Sequence, residues 1–170
     1  MPPRDVVRIP AAVLKLPAAE IAPGEWAEQL CADMVDTMRA SPACVGIAAP
    51  QIGIGARAFV ADVTGHRRAR SCHGLIVMIN PRIVASEGHE VVREGCMSVP
   101  DFTGNVPRAA TVTVAGLTPS GDELTIEADA FEARALQHEI DHLDGLLFLD
   151  RVASMTGDVF RRKRYEKPGG

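Results

Sequence analysis

The segment Gln137-His138-Glu139-Ile140-Asp141-His142 sets two imidazoles four residues apart around a carboxylate. On a helix that spacing puts His138 and His142 on one face, where both can bind a divalent ion, and Glu139, one step round, can reach a water on that ion. The chemistry this suits is metal-assisted hydrolysis. A hydrolytic zinc or iron site usually takes three protein ligands and keeps one position open, so a third ligand is needed. The extended metalloprotease pattern H-E-x-x-H-x-x-G-x-x-H holds through Gly145 and breaks at Phe148, where the last His would fall. Asp150, Asp158 and Glu166 are distant carboxylates with no identifiable second ligand helix beneath them. Cys96, in Glu94-Gly95-Cys96-Met97-Ser98, is the better candidate: the glycine lets the backbone come close, and the thiolate completes a Cys-His-His set. Taken singly, the His pair could belong to a surface helix and Cys96 to a packed core.

A third segment, Val45-Gly46-Ile47-Ala48-Ala49-Pro50-Gln51-Ile52-Gly53, is small, glycine-bearing backbone ending in one amide side chain. It is suited to pairing with an extended peptide while donating a hydrogen bond nearby, and in isolation it reads equally as a tight apolar turn. Together the three segments resemble the signature motifs of the peptide deformylases, G-x-G-x-A-A-x-Q, E-G-C-x-S and Q-H-E-x-D-H, in that order. The resemblance runs from Val7 to Val152 and includes the exit Leu143-Asp144-Gly145 to Asp150-Arg151.

What the resemblance implies is removal of the formyl group from the N-terminal formyl-methionine of nascent proteins, with release of formate. Carried over residue by residue, it makes Cys96, His138 and His142 the ligands of one divalent ion, typically Fe2+, with Zn2+, Ni2+ or Co2+ able to take its place. Glu139 would be general base and then general acid, a role that Asp141, pointing elsewhere, cannot fill. Gln51 and the backbone N–H of Met97 would stabilise the oxyanion. Val45, Gly46 and Ile47 would pair with the substrate backbone, and Phe131 and Val92 would wall the methionine pocket. The chain departs from the family at Cys44, where the first glycine of G-x-G is usual, and at Thr103-Gly104, where many bacterial members carry a substrate-touching arginine. Arg108 is the expected substitute cation. Cys44 either narrows the groove or is a packed, inert thiol. A metallopeptidase, a deformylase-like paralogue with another substrate, and a non-catalytic metal- or peptide-binding relative are the competing classes. The first lacks its third His, and a pure binder has no use for Glu139.

These residues need a helix under the histidines and extended chain beside it. Asp129 with Glu132 fits a capping box, Phe131, Ala135, Leu136, Ile140 and Leu143 give an apolar stripe, and Gly145 is the stop. A second helix is expected over 24–39, with Trp26, Leu30 and Met34 on one side. Strands are expected over 58–63, 75–79, 83–92, 111–117 and 124–128, with a polar loop over 65–74 carrying Cys72 and His73. The fold class is α+β: a single domain over 1–170, the metal helix packed against small antiparallel sheets, as in the deformylase fold. With 170 residues and 46% hydrophobic content, one substantial core can form.

Charge is nearly balanced, 18 basic against 22 acidic residues, which argues against general DNA binding. No run approaches the length of a membrane helix, and four irregularly spaced cysteines do not make a disulfide scaffold, so a reducing cytoplasm is expected. Residues 155–170 read as a solvated, partly helical basic tail whose Arg161-Arg162-Lys163-Arg164 run could make a weak ribosome contact, as the basic C-terminal helix of some deformylases does.

Overall fold

The computed structural model describes residues 3–162. Its two long helices are α1 (Glu25–Ala40) and α2 (Ala130–Leu143). The strands are β1 (Gly46–Ala48), β2 (Ala58–Ala61), β3 (Ile76–Glu87), β4 (Glu90–Cys96), β5 (Val99–Arg108), β6 (Thr111–Leu117), β7 (Glu123–Asp129) and β8 (Val159–Arg161). They form a five-stranded sheet in the order β1-β2-β3-β6-β7 and a three-stranded sheet in the order β4-β5-β8. All pairings between named strands are antiparallel.

Strand periodicity divides the core. On β2, Ala58 and Val60 pack with Leu30, Met34 and Met38 of α1, whereas Phe59 and Ala61 pack with Leu136, Ile140 and Leu143 of α2. The large sheet is therefore covered on both faces, and successive residues serve opposite cores. Leu136 is fully buried, so truncating it to alanine costs about 2–5 kcal/mol. Toward the small sheet, α2 turns polar atoms instead. Arg134 donates to the carbonyl of Val106 at 2.8 Å, and Gln137 exchanges hydrogen bonds with the main chain of Ala109 at 3.0 and 2.9 Å. Polar partners of this kind fix the helix's rotation more tightly than apolar packing would.

Several expectations need correction. Trp26 is 59% exposed, because the buried stripe of α1 runs through Ala27, Leu30, Met34 and Met38, and Trp26 lies one residue off it. Asp129 occupies the N-cap position of α2 without a side-chain cap; its carboxylate accepts the N–H of Ser71 at 2.9 Å, and Glu132 takes the Ser71 hydroxyl and His73. Both carboxylates thus hold down the 62–75 loop, and His73 belongs to that tether. The expected strand 83–92 is divided at Gly88-His89: residues 83–87 join 75–79 in one strand, β3, through a register irregularity between Ile79 and Arg82, and residues 90–92 open β4. β1, β5 and β8 have no counterpart among the expected strands. The expected tail begins as turn and strand: β8 pairs with β5, while residues 163–170 of that tail lie outside the described residues.

Candidate metal centre

The small sheet delivers the thiolate and α2 delivers the imidazoles. On β4 inward and outward residues alternate, so Val92, Glu94 and Cys96 share the inner face. The strand ends at Cys96, with a register shift between Gly95 and Cys96. α2 brings His138 and His142 opposite, and Gly145 at φ +77 closes the helix as the sequence predicts. The ligand atoms of Cys96, His138 and His142 all lie within 4.8 Å of one another, and Cys96 Sγ is 3.3 Å from His142 Nε2.

The three groups are prepared for a cation. Burial pushes the Cys96 thiol up, but the charges and hydrogen bonds of His142 and His138 overrule it and hold it well below its ordinary value. Burial opposes charge on His138, yet Cys96 and Glu94 hold its imidazole well above the ordinary range. His138 Nδ1 is hydrogen-bonded to Glu94 at 2.9 Å, which leaves Nε2 for the metal. A thiolate with two imidazoles, one already braced by a carboxylate, is a donor set that fits a divalent transition ion.

Glu94 anchors more than His138. It also accepts from Arg108 at two positions 2.8 Å away and from Arg134 at 3.2 Å. Burial would raise its carboxyl, but Arg108 and His138 lower it to about 2. The sequence analysis named Glu94 only as a neighbour of Cys96; its place two residues before the ligand on a strand was the available signal, since it puts both on one face.

Glu139 is buried, and its Oε2 has no hydrogen-bond partner among the described residues. Burial raises its carboxyl to about 7, against the lowering pull of His138 and His142. Gln51, also buried, accepts the N–H of Ala48 at 3.0 Å through Oε1. Its Nε2 thereby turns to Ser98 Oγ at 3.1 Å and Cys96 Sγ at 3.4 Å. Val45, Gly46, Gln51 and Met97 line one cavity of about 230 Å³ with Cys96, His138 and Glu139. Ile47 sits beside them on β1 but is fully buried against α1. Phe131 and Val92 line an adjoining cavity of about 230 Å³. There His66 stacks on Phe131 with ring centroids 3.7 Å apart, a wall residue the sequence reading missed.

Arg108 is not in this groove. It lies beneath α2, 4% exposed, between Glu94 and Asp141 Oδ2 at 2.5 Å, because two buried carboxylates there require a cation. Asp141 faces away from the centre as expected, toward Arg108 and Arg151. Phe148 is a core residue, and Asp150 pairs with Lys15. Cys44 Sγ lies on the groove, 3.1 Å from the Gly46 carbonyl, and burial raises the thiol to about 11.

A Cys-His-His set beside a buried glutamate of raised pKa, on a cavity of about 230 Å³, is the arrangement a metal-dependent hydrolase needs. The sequence model of the polypeptide deformylase family matches residues 3–157. A peptide deformylase from Syntrophobacter fumaroxidans is 42% identical over 96% of this chain and 94% of its own length. Among solved structures, a peptide deformylase from Legionella pneumophila is similar with a TM-score of 0.81, at 38% identity over 90% of this chain and 88% of that one. The Ehrlichia chaffeensis peptide deformylase in complex with actinonin gives a TM-score of 0.84, at 33% identity over 92% of each chain. The chain belongs to the peptide deformylase family, metal-dependent hydrolases that remove the formyl group from formyl-methionyl proteins.

Proposed function

We propose that this chain deformylates nascent formyl-methionyl peptides in the cytoplasm, with Glu139 moving the protons. The observation carrying the reading is the buried Glu139 carboxylate, one oxygen unpartnered among the described residues, beside the Cys96-His138-His142 set. A divalent ion held by those three residues supplies a Lewis acid that lowers the pKa of water and polarises the formyl carbonyl. Glu139 Oε2 takes a proton from the attacking water and returns it to the departing methionine nitrogen, so one carboxyl serves both halves of the reaction. Gln51 Nε2 and the Met97 backbone N–H donate to the oxygen on which charge develops.

Val45 and Gly46 hold the peptide backbone in extended form, while Ile47, fully buried, anchors β1 behind them, and the methionine side chain enters the cavity walled by Val92, Phe131 and His66. In this reading Fe2+ is the ion in the cell, with zinc, nickel or cobalt able to occupy the same ligands, since affinity order alone does not select among them. The basic C-terminal tail, through its Arg161-Arg162-Lys163-Arg164 run, makes a weak ribosome contact, tested by low-salt co-sedimentation of a variant with the run neutralised.

Formate release from formyl-Met-Ala-Ser by protein purified without oxygen tests the function, with acetyl-Met-Ala-Ser as comparator. Rapid release from the formyl peptide and little from the acetyl peptide is expected, because the formyl hydrogen fits where a methyl group crowds. Equal turnover of both would remove the assignment.

A further inference from the structure

Beyond β8 the chain continues the ladder: the Arg162 N–H donates to the Asp101 carbonyl at 2.8 Å. Residues two apart on a strand share a face, so Arg162 follows Phe160, whose ring lies 3.7 Å beneath the Arg93 guanidinium. That contact, with the pairing of Phe160 to Thr103, fixes where the strap lies. Arg162 then lines the same cavity as Gln51, Cys96 and Glu139, and among the described residues lining it Arg162 alone carries a permanent positive charge.

Two contacts accompany this placement. An ideal Cβ on Gly95 would lie 2.5 Å from Arg162 Nη2, so the residue before the thiolate leaves room for the guanidinium. The same nitrogen is 3.4 Å from the carbonyl of Cys96, a long hydrogen bond that leaves most of the five N–H donors for another acceptor. The cation therefore stands one residue from the proposed metal ligand. Arg162 lines the cavity beside the metal ligands, and an extended peptide advances about 3.4 Å per residue, so the residue that follows formyl-methionine is the first to come within its reach.

We infer that Arg162, delivered by the C-terminal strand, is a specificity-determining residue of the groove that binds oxygen acceptors on the residue following formyl-methionine. It favours a carboxylate side chain there over an ammonium. The inference rests on the deformylation reading above. Thr103 pairs with Phe160 and Gly104 with Val159, so the strand that carries the cation runs alongside these two positions.

Steady-state formate release from formyl-Met-Ala-Ala, formyl-Met-Asp-Ala and formyl-Met-Lys-Ala, by the metal-loaded parent, Arg162→Met and Arg162→Lys, tests it. The parent should prefer Asp to Lys by about tenfold in kcat/KM, carried by KM. Arg162→Met should lose that preference and raise KM for the neutral peptide several-fold, with kcat within about twofold and metal content unchanged. Arg162→Lys should restore part of the acidic preference. A parent that turns over all three peptides alike overturns the inference whatever the variants do. So does full discrimination in Arg162→Met, or a loss confined to kcat, which would mean that β8 only braces the site. A metal-loaded parent that releases formate from none of the peptides would instead remove the deformylation reading, and this inference with it.

Discussion

A Cβ at position 46 would lie 3.1 Å from Cγ, Cδ and Oε2 of Glu139, so the missing side chain of Gly46 is what gives the buried carboxylate its place. The β1 edge and the H-E-x-x-H helix are thus fitted to each other through one glycine and one glutamate. Gly46→Ala should displace Glu139 by a few tenths of an ångström and lower kcat roughly ten- to hundredfold, with metal still bound. Wild-type kcat in that variant would show that the carboxylate's position is not critical.

Glu94 joins the metal site to the fold. Its folded carboxyl is near 2 against an ordinary 4.5. A depressed carboxyl stabilises the folded state fully above the unfolded value and loses that contribution as pH falls through the folded value. The metal-free protein should therefore lose thermal stability between about pH 4.5 and about pH 2, and Glu94→Gln should flatten that part of the profile. The same variant removes the carboxylate that braces His138 and leaves Arg108 only Asp141 as an anionic partner, so metal affinity should fall about 10–100-fold. Thermal melts across pH and a metal competition assay check both.

Gln51 tests the oxyanion role separately from metal binding. Removing one such donor raises the barrier by about 2.7–4 kcal/mol in comparable hydrolases, so Gln51→Ala should lower kcat at least about a hundredfold with little change in KM. Peptide kinetics at fixed metal content would measure it, and an unaltered kcat would exclude the amide from the transition state.

The pH dependence of activity follows from Glu139. Burial raises its carboxyl to about 7 in the metal-free protein, and a neighbouring dication lowers it from there. The base works when deprotonated, so kcat/KM should rise with pH along an acid limb whose midpoint lies below 7. That limb should disappear in Glu139→Gln.

The metal ligands were readable because each lies in a short motif whose chemistry needs a fixed spacing, and Gln51 because its amide ends such a motif. Arg108 was misread because its partners, Glu94 and Asp141, are 14 and 33 residues away in sequence, and no local pattern shows an arginine paired on both sides. β5 escaped notice because Pro100, Gly104, Asn105 and Pro107 make it resemble a loop; it is a strand because β4 and β8 pair with it on either side. β6, bounded by polar turns and rich in β-branched residues, was legible to the residue, Thr111–Leu117. Arg162 was visible as a charge in a basic run, but its position on the groove depends on the β5–β8 pairing, which no periodicity encodes.

The most direct test of the central claim is Glu139→Gln, assayed for formate release from a formyl-Met tripeptide together with metal content. The variant should bind an ion as the parent does and show kcat reduced by about 10²–10⁴-fold, because the ligands Cys96, His138 and His142 are untouched while the proton carrier is gone. Near-parent turnover with metal in place would contradict it, since the reaction would then proceed without the carboxylate that the site is built around.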